Sequence, residues 1–458
     1  MTQQSSNLLE LIGNTPLVEL RSFDTGLCRL FVKLESQNPG GSIKDRIGRS
    51  MIDAAIRDGK VSPGSTLVEA TAGNTGLGLA LIAGRKGLRL TLVIPDKMSQ
   101  EKVLHLKALG AEIVMTRSDV GCGHPQYYQD LAQSIARQTP NSFYVNQFNN
   151  PANPQAHEET TGPEIWRQTG HNLDAVVCGV GSGGTLTGLS RYFAKVAPDV
   201  EMVLADPAGS VLADYIRTGT IGKAGSWLVE GIGEDFIPPL LDLSRVREAF
   251  TINDFESLTT ARELLRNDGI LAGSSTGTLV AAAVRYCRAQ TVPKRVVTFV
   301  CDSGNKYLSK MYNDYWMSDH GFRREQPFGD LRDLIARPFA KGAVVSLAPD
   351  DPVTVAYSRM RLYDVSQLAV IENGGIVGIV DESDLLLAVH DNPQAFNSPV
   401  REFMTSKLQT VSRALQIRDL MPVFDAGHVV IVSDELGFHG LITQIDVLNY
   451  LRRQQQTA

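Results

Sequence analysis

The sequence predicts an α/β protein with parallel sheets, followed by a smaller α/β module that is duplicated. Apolar segments of strand length alternate with helix-length segments over residues 30–301, which is typical of parallel sheets with crossover helices. A chain of 458 residues is too long for one ordinary core, so two or three domains are expected. The similar segments 345–389 and 410–451 indicate an internal duplication. We therefore predict a first domain at residues 1–325, a linker at 326–342 and the duplicated module at 343–458.

The composition is typical of a globular protein and argues against a nucleic-acid-binding or membrane protein. Hydrophobic residues make up 43% of the chain and charged residues 21%, which describes a globular protein. The net charge of -6 gives no basic surface for nucleic acid. The polar N-terminus lacks signal-peptide features and no apolar run reaches membrane-spanning length, so we predict a cytoplasmic protein without a membrane partner. The five cysteines and eight histidines are scattered without metal-ligand spacing, so reduced thiols and no metal site are expected.

The first strand–turn–helix unit places a lysine in an unusual position. A strand at residues 30–34 leads into the turn 38–41, and Ser42 suits the N-cap of a helix that runs to about Gly59. Lys44 then lies in the first helical turn, where the helix dipole is positive. That field, together with burial, would lower the pKa of the amine and leave it nucleophilic. The alternative is a solvent-exposed lysine on an ordinary capped helix.

A second unit of this kind offers an anion site. The strand 66–70 is followed by small and hydroxyl-bearing residues and then by an apolar helix at 77–84. Backbone N–H groups that converge at a helix N-terminus suit a carboxylate, although a glycine-rich connector without a ligand is the alternative. Further along, residues 97–99 cap a helix that runs to about Leu109, and the amide-rich segment 147–157 is expected to be irregular and to bond either itself or a ligand.

A third unit carries a glycine-rich loop. The strand 175–178 ends in residues 179–185, which lead into a helix at 186–196. The loop matches G-x-G-x-x-G, so an NAD-dependent oxidoreductase is an alternative. Its mid-chain position and the ambiguous acidic residue downstream count against that alternative, and we favour a loop that holds one phosphate. A fourth loop, residues 273–277, precedes a second apolar helix at 278–288, where Ser275 would by itself be a plain N-cap.

Together these motifs resemble the cystathionine β-synthase family of fold-type II pyridoxal-phosphate enzymes. The resemblance extends from Asn7 to about Arg452, and the C-terminal repeats resemble a tandem CBS (Bateman) module. It implies two parallel-sheet α/β subdomains with a C-terminal α/β tandem CBS module, and a homodimer or homotetramer. The motifs are I-G-N-T-P-L at Ile12, N-P-G-G-S-I-K-D-R at Asn38, A-G-N-T-G at Ala72, G-S-G-G-T at Gly181 and G-S-S-T-G at Gly273.

The resemblance also implies residue roles. Lys44 would form the Schiff base with pyridoxal 5'-phosphate and later move the substrate α-proton. Asn74 would bond the ring hydroxyl of the cofactor. Ser275 would face its pyridine nitrogen, which favours β-elimination over transamination. The phosphate would be held by Gly181, Ser182, Gly183, Gly184 and Thr185, and the substrate carboxylate by Thr71, Ala72, Gly73, Asn74, Thr75 and Gln147.

The implied reaction is a β-replacement in which L-homocysteine displaces the hydroxyl of L-serine to give L-cystathionine and water. The alternative is cysteine synthase, which adds sulfide to O-acetylserine on the same scaffold, and the segment at Gln147 also suits that family. The C-terminal repeats, the segment K-M-S-Q-E-K at Lys97 and the pair Trp316-Met317 favour cystathionine formation.

Several features depart from the family or concern regulation. The usual P-T-S-G-N-T-G reads A-T-A-G-N-T-G here, and Glu234 stands where animal synthases carry tyrosine, which could alter second-substrate preference or product release. No haem-binding extension precedes the core, so no haem is expected. Thr443 and Asp446 fit a pair that contacts ribose or phosphate, whereas Asp381 in the first repeat would repel phosphate. We therefore expect at most one adenosyl site per chain, for S-adenosylmethionine or an adenine nucleotide. A dimerisation module without ligand is the alternative.

Overall fold

The computed structural model describes residues 7–71, 73–96, 100–121, 123–322 and 328–457. Contacts divide the chain into two compact units, Met1–Met311 and Tyr312–Ala458. Part of the predicted linker lies outside the described residues, and the domain limits at 325 and 342 stay a prediction.

The first unit contains two sheets. The larger sheet has the order β1-β2-β10-β7-β8-β9, and all of its neighbours are parallel except the antiparallel pair β1–β2. The smaller sheet, β5-β4-β3-β6, is entirely parallel. This confirms the predicted parallel-sheet α/β architecture. The strands are β1 (Leu17–Leu20), β2 (Arg29–Leu34), β3 (Thr66–Ala70), β4 (Arg89–Pro95), β5 (Glu112–Thr116), β6 (Ser142–Tyr144), β7 (Ala175–Cys178), β8 (Glu201–Pro207), β9 (Val246–Ile252) and β10 (Arg295–Val300).

Helices connect these strands and cover the sheets. Strands β3 and β7 are buried along their whole length, as expected for strands covered on both faces. The helices are α1 (Lys44–Arg57), α2 (Asn74–Arg85), α3 (Gln100–Ala108), α4 (Tyr128–Gln138), α5 (Ala152–Ala156), α6 (Gly162–Gln168), α7 (Gly184–Val196), α8 (Leu212–Thr218), α9 (Asp254–Asp268) and α10 (Ser274–Arg288).

Two sequence-based expectations about local structure need correction. The helix after Ser42 has Ile43 as its N-cap and begins at Lys44, while the Ser42 hydroxyl accepts a hydrogen bond from the Lys44 N–H at 3.2 Å. The segment 147–157 is not irregular throughout, because it contains α5 and leads into a π-helix at His157–Thr161. Proline is tolerated at the start of a helix, where its missing N–H costs nothing, and Pro151 stands immediately before α5.

The second unit contains two three-stranded sheets with the same plan. In each sheet the first strand pairs in parallel with the second, and the second pairs antiparallel with the third. The register also shifts at matching places, after Val370 and after Val432. This repetition confirms the predicted duplication. The strands are β11 (Ser346–Leu347), β12 (Gln367–Glu372), β13 (Gly375–Asp381), β14 (Thr410–Val411), β15 (Val430–Asp434) and β16 (Gly437–Ile442), and the helices are α11 (Asp314–Asp319), α12 (Val353–Tyr363), α13 (Glu382–Asp391), α14 (Met421–Asp425) and α15 (Gln444–Thr457).

Among the residues that the structure describes, no helix is both long enough and apolar enough to cross a membrane.

Candidate active site

A cavity of about 1120 Å³ lies in the first unit, at the loops that follow the carboxyl ends of β3, β7 and β10. This is where open parallel sheets usually bind ligands. The structure brings most of the residues singled out in the sequence to this one cavity, although the motifs are far apart along the chain. Ala72 lies outside the described residues, and Thr443 and Asp446 belong to the second unit. The residues in question that line the cavity are Lys44, Thr71, Gly73, Asn74, Thr75, Gln147, Gly181, Ser182, Gly183, Gly184, Thr185 and Ser275.

Lys44 is the first residue of α1, and its side chain reaches the cavity. Burial lowers the pKa of its amine, and the charges of Cys301, Glu234 and Asp302 oppose that shift in part. Within the described part of the chain, neither a hydrogen bond nor an ion pair engages Nζ. A lowered pKa enlarges the neutral fraction near neutral pH, so this lysine is suited to nucleophilic attack on a carbonyl.

Asn74 is held by a network that the sequence did not reveal. Its Nδ2 donates to Asp302 Oδ2 at 2.7 Å, and its Oδ1 accepts from Lys306 Nζ at 2.8 Å. The Tyr307 hydroxyl donates to the same Asp302 oxygen at 2.8 Å. The amide is therefore fixed in one orientation, which leaves its second N–H for a ligand.

The loop after β3 is organised around a hydroxyl–amide pair. Thr75 Oγ1 donates to Gln147 Oε1 at 2.7 Å, and the Gly73 N–H donates to Thr71 Oγ1 at 3.2 Å. The backbone of Gln147 is fixed in turn, because its N–H donates to Glu69 Oε2 at 3.2 Å. Because α2 begins at Asn74, the N–H groups of its first turn lie at the end of this loop, and the arrangement suits a carboxylate.

The glycine-rich loop after β7 leads directly into α7. Gly183 has a φ of +86°, and a Cβ on Gly181 would lie 2.8 Å from the carbonyl oxygen of Gly231. A Cβ on Gly184 would overlap the side chain of Asn153. The loop therefore has no room for side chains at these positions, and its N–H groups form an open cradle at a helix N-terminus.

Two residues outside the predicted set position this loop. Asn153 Nδ2 donates to Ser182 Oγ at 2.9 Å and to the Gln147 carbonyl at 2.8 Å. His157 Nε2 lies 3.2 Å from Thr185 Oγ1. The available sequence signal was the amide-rich character of 147–157, but it does not indicate which side chains turn inward.

Ser275 is buried in the first turn of α10, close to Cys301, which follows β10. Burial raises the pKa of the Cys301 thiol to about 12, so the thiol is neutral. This part of the cavity therefore presents two neutral groups, and neither is a strong acid or base.

A cluster of charges closes another side of the cavity. Lys102 on α3 is 3% exposed and forms an ion pair with Glu230, and Lys310 reaches the same carboxylate at 2.7 Å. These two lysines keep the pKa of Glu230 below its usual value in spite of burial. Among the residues that the structure places, no group of three or more His, Cys, Asp or Glu side chains is arranged to hold a metal ion.

Comparisons with known proteins agree with this geometry. Residues 8–302 match the family described as pyridoxal-phosphate dependent enzyme, and residues 332–391 and 400–453 match the CBS domain. The cystathionine beta-synthase of Dictyostelium discoideum is 34% identical over 98% of this chain and 93% of its own. Cysteine synthase A of Escherichia coli is 42% identical over 65% of this chain and 92% of its own. The structure of the O-acetylserine dependent cystathionine beta-synthase from Helicobacter pylori is 35% identical, with a TM-score of 0.63, and covers 68% of this chain and 99% of that chain.

Proposed function

Because the chain belongs to the cystathionine beta-synthase family of pyridoxal-phosphate-dependent enzymes, we propose that it condenses L-serine with L-homocysteine to give L-cystathionine and water. The observation that carries the proposal is a lysine amine of lowered pKa, without a hydrogen bond or ion pair among the described residues, in one cavity with a cradle for phosphate and a loop for carboxylate. The similarity to cystathionine beta-synthases extends over nearly the whole chain and includes the repeats. It therefore favours this activity over that of an enzyme that matches the first unit only.

The residues present fit pyridoxal phosphate. The cradle at Gly181 and Gly184 excludes side chains and offers N–H groups at the start of a helix, as a phosphate monoester requires. Lys44 supplies the amine that would hold the aldehyde, and Asn74 supplies a fixed donor for a ring hydroxyl. When bound, the cofactor supplies an electron sink that makes the α-proton of an amino acid acidic and allows the β-substituent to leave.

Residues of the chain would bind the substrate, move its α-proton and set the environment of the ring nitrogen. The loop Thr71–Thr75 together with Gln147 would bind the substrate carboxylate and thereby orient Cα. Lys44 Nζ would accept the α-proton, for which an amine of lowered pKa is suited. Neutral Ser275 would leave the ring nitrogen without a strong acid beside it, which favours elimination at the β-carbon.

Both substrates distinguish this proposal from the second candidate, which is cysteine synthesis from O-acetylserine and sulfide. The similarity of the first unit to cysteine synthase A favours that candidate. The deciding experiment measures product formation from serine with homocysteine, from O-acetylserine with homocysteine, and from O-acetylserine with sulfide. We expect cystathionine from serine to form fastest. A much faster reaction of O-acetylserine with sulfide would overturn the proposal.

The role of the lysine is tested separately. Borohydride reduction of the holoenzyme should fix a pyridoxyl group on the peptide that contains Lys44, as detected by mass spectrometry. The variant Lys44→Ala should still bind the cofactor non-covalently but should form no product. A labelled peptide elsewhere would refute the assignment, whatever the substrate proves to be.

We also propose that the second unit binds at most one adenosyl ligand per chain, at Thr443 and Asp446. The N–H and Oγ1 of Thr443 both donate to Asp446 Oδ2, at 2.7 and 2.6 Å. In the first repeat Asp381 and Asp384 form a capping box at the start of α13 and place two carboxylates there. Two carboxylates at a helix start disfavour a phosphate, which supports the second repeat as the better site.

A further inference from the structure

Glu234 is held firmly by its backbone but not by its side chain. Its N–H donates to Ser210 Oγ at 3.1 Å, and its carbonyl accepts from the Val211 N–H at 3.0 Å. The preceding Gly233 has a φ of +88°, and a Cβ there would lie 2.5 Å from Pro207, so this part of the loop is closely packed. The side chain lines the cavity that contains Lys44.

The carboxyl group of Glu234 has no partner in the described ranges of the chain, either as a hydrogen bond or as an ion pair. Burial raises its pKa to about 8, the charges of Asp235 and Asp206 add to the shift, and Lys44 opposes it. A carboxyl group that is partly buried without a partner is incompletely hydrated, which costs free energy. Such groups are concentrated at binding sites, where a ligand completes them.

The chemistry of the proposed reaction indicates which ligand that is. The α-amino group of the first amino acid is taken up by the cofactor, and Glu234 in its ionised form would repel both carboxylates of the reactants. The cation that remains is the α-ammonium of the second amino acid. An ammonium beside Glu234 would favour the ionised carboxylate and form a charge-assisted hydrogen bond.

We infer that Glu234 binds the α-ammonium group of the thiol-bearing amino acid that enters second, and so selects a zwitterionic acceptor over sulfide. The inference rests on the proposed function, because it requires an amino acid as acceptor. Hydrosulfide is an anion and offers no donor of this kind, so a carboxylate at this position gives it no advantage. Glu234 is thereby a determinant of specificity for the acceptor.

The test compares L-homocysteine with 4-sulfanylbutanoate, which is the same thiol without the ammonium group. In the variant Glu234→Gln we expect the KM for homocysteine to rise about tenfold with little change in kcat, the scale of one charge-assisted hydrogen bond. The KM for 4-sulfanylbutanoate should stay as in the wild type. The spectral change on adding the first amino acid alone should keep its amplitude and midpoint.

The matched control is Glu112→Gln, which makes the same substitution at an exposed residue of β5 outside the lining of the cavity and should leave the preference between the two thiols unchanged. The inference would be overturned if Glu234→Gln changed the KM for both thiols equally, or if it left the KM for homocysteine unchanged. Cystathionine synthesis by the wild type would still support the proposed function in that case. If the wild type makes no cystathionine, the proposed function fails. In that case calorimetry of the holoenzyme with each thiol tests the role of Glu234 independently of turnover. Tighter binding of homocysteine in the wild type, lost in Glu234→Gln, would support the inference. Equal binding of the two thiols by the wild type would overturn it.

Discussion

Acidification should destabilise the first unit through His157. The imidazole is fully buried, with Nδ1 2.9 Å from Thr161 Oγ1 and Nε2 3.2 Å from Thr185 Oγ1. Burial, together with the charges of Lys44 and Arg46, lowers its pKa to about 3. Histidine in an unfolded chain has a pKa of about 6.5. Below about pH 6.5 the imidazole of His157 binds a proton in the unfolded state but stays neutral in the folded state. Stability is therefore lost as the pH falls from about 6.5 towards 3.

The size of the effect follows from the same two pKa values. One pH unit corresponds to about 1.4 kcal/mol per proton, and pH 5.0 lies about 1.5 units below the unfolded pKa. His157 should therefore contribute about 2 kcal/mol to the loss of unfolding free energy between pH 7.5 and pH 5.0. Other groups titrate over this range, so the quantity to measure is the difference in pH dependence between the wild type and His157→Gln.

Urea unfolding at both pH values measures this difference. Fluorescence in a Trp316→Phe background reports the first unit, because Trp166 and Trp227 are then the tryptophans that remain. His157→Gln should lose about 2 kcal/mol less stability on acidification than its parent. His124→Gln, at an exposed position of the same unit, should behave like the parent. If His157→Gln and its parent lose the same stability, the linkage argument is wrong.

Two further predictions concern ligands. Gly184→Ala would place a Cβ into the side chain of Asn153. A clash at a well-packed position costs at least about 1 kcal/mol, so we expect the affinity for pyridoxal phosphate to fall about tenfold or more in an absorbance titration. Gly84→Ala, where a Cβ meets nothing within 4 Å in α2, should leave that affinity unchanged. Calorimetry of the full chain with S-adenosylmethionine and with AMP should give no more than one binding site per chain. The affinity of that site should fall in Thr443→Ala. Two tight sites of equal affinity would contradict the proposed role of the second repeat.

The sequence predicted the strand–turn–helix units because their signals are local. Each combines a short apolar strand, a glycine-rich turn and an apolar helix within about 20 residues. The predicted starts of three helices were nevertheless late, at 77, 186 and 278, whereas the structure starts them at Asn74, Gly184 and Ser274. Glycine, serine and threonine have low helix propensity, and tertiary packing overrides it here.

Close packing explains why small residues sit inside these helices. A Cβ on Gly78 of α2 would lie 2.9 Å from the Lys44 carbonyl oxygen, and one on Gly188 of α7 would overlap the Pro154 carbonyl. Side chains here would push α2 away from the first turn of α1. Local patterns identify the glycines, but the sequence does not say which backbone they approach.

The partners that orient the site residues could not be predicted, because they are distant in the chain. Asp302 and Lys306, which fix the Asn74 amide, follow it by 228 and 232 residues. No periodicity in the sequence relates such distant positions. The sequence likewise could not show that the Glu234 side chain has no partner among the described residues, because that depends on where distant side chains lie.

The orientation of Lys44 is fixed from the opposite side of its helix. Arg46 is two residues further along α1, about 200° around the helix axis, so its side chain points away from that of Lys44. Arg46 is 3% exposed, and its guanidinium pairs with Glu35 and Glu164 at 2.7 Å. Lys33 completes the set by reaching Glu164 at 2.7 Å. Burying these charges contributes little net stability, but removing any one of them leaves the others uncompensated. The ionic network therefore allows α1 a single rotation about its axis, and that rotation directs the amine of Lys44 into the cavity.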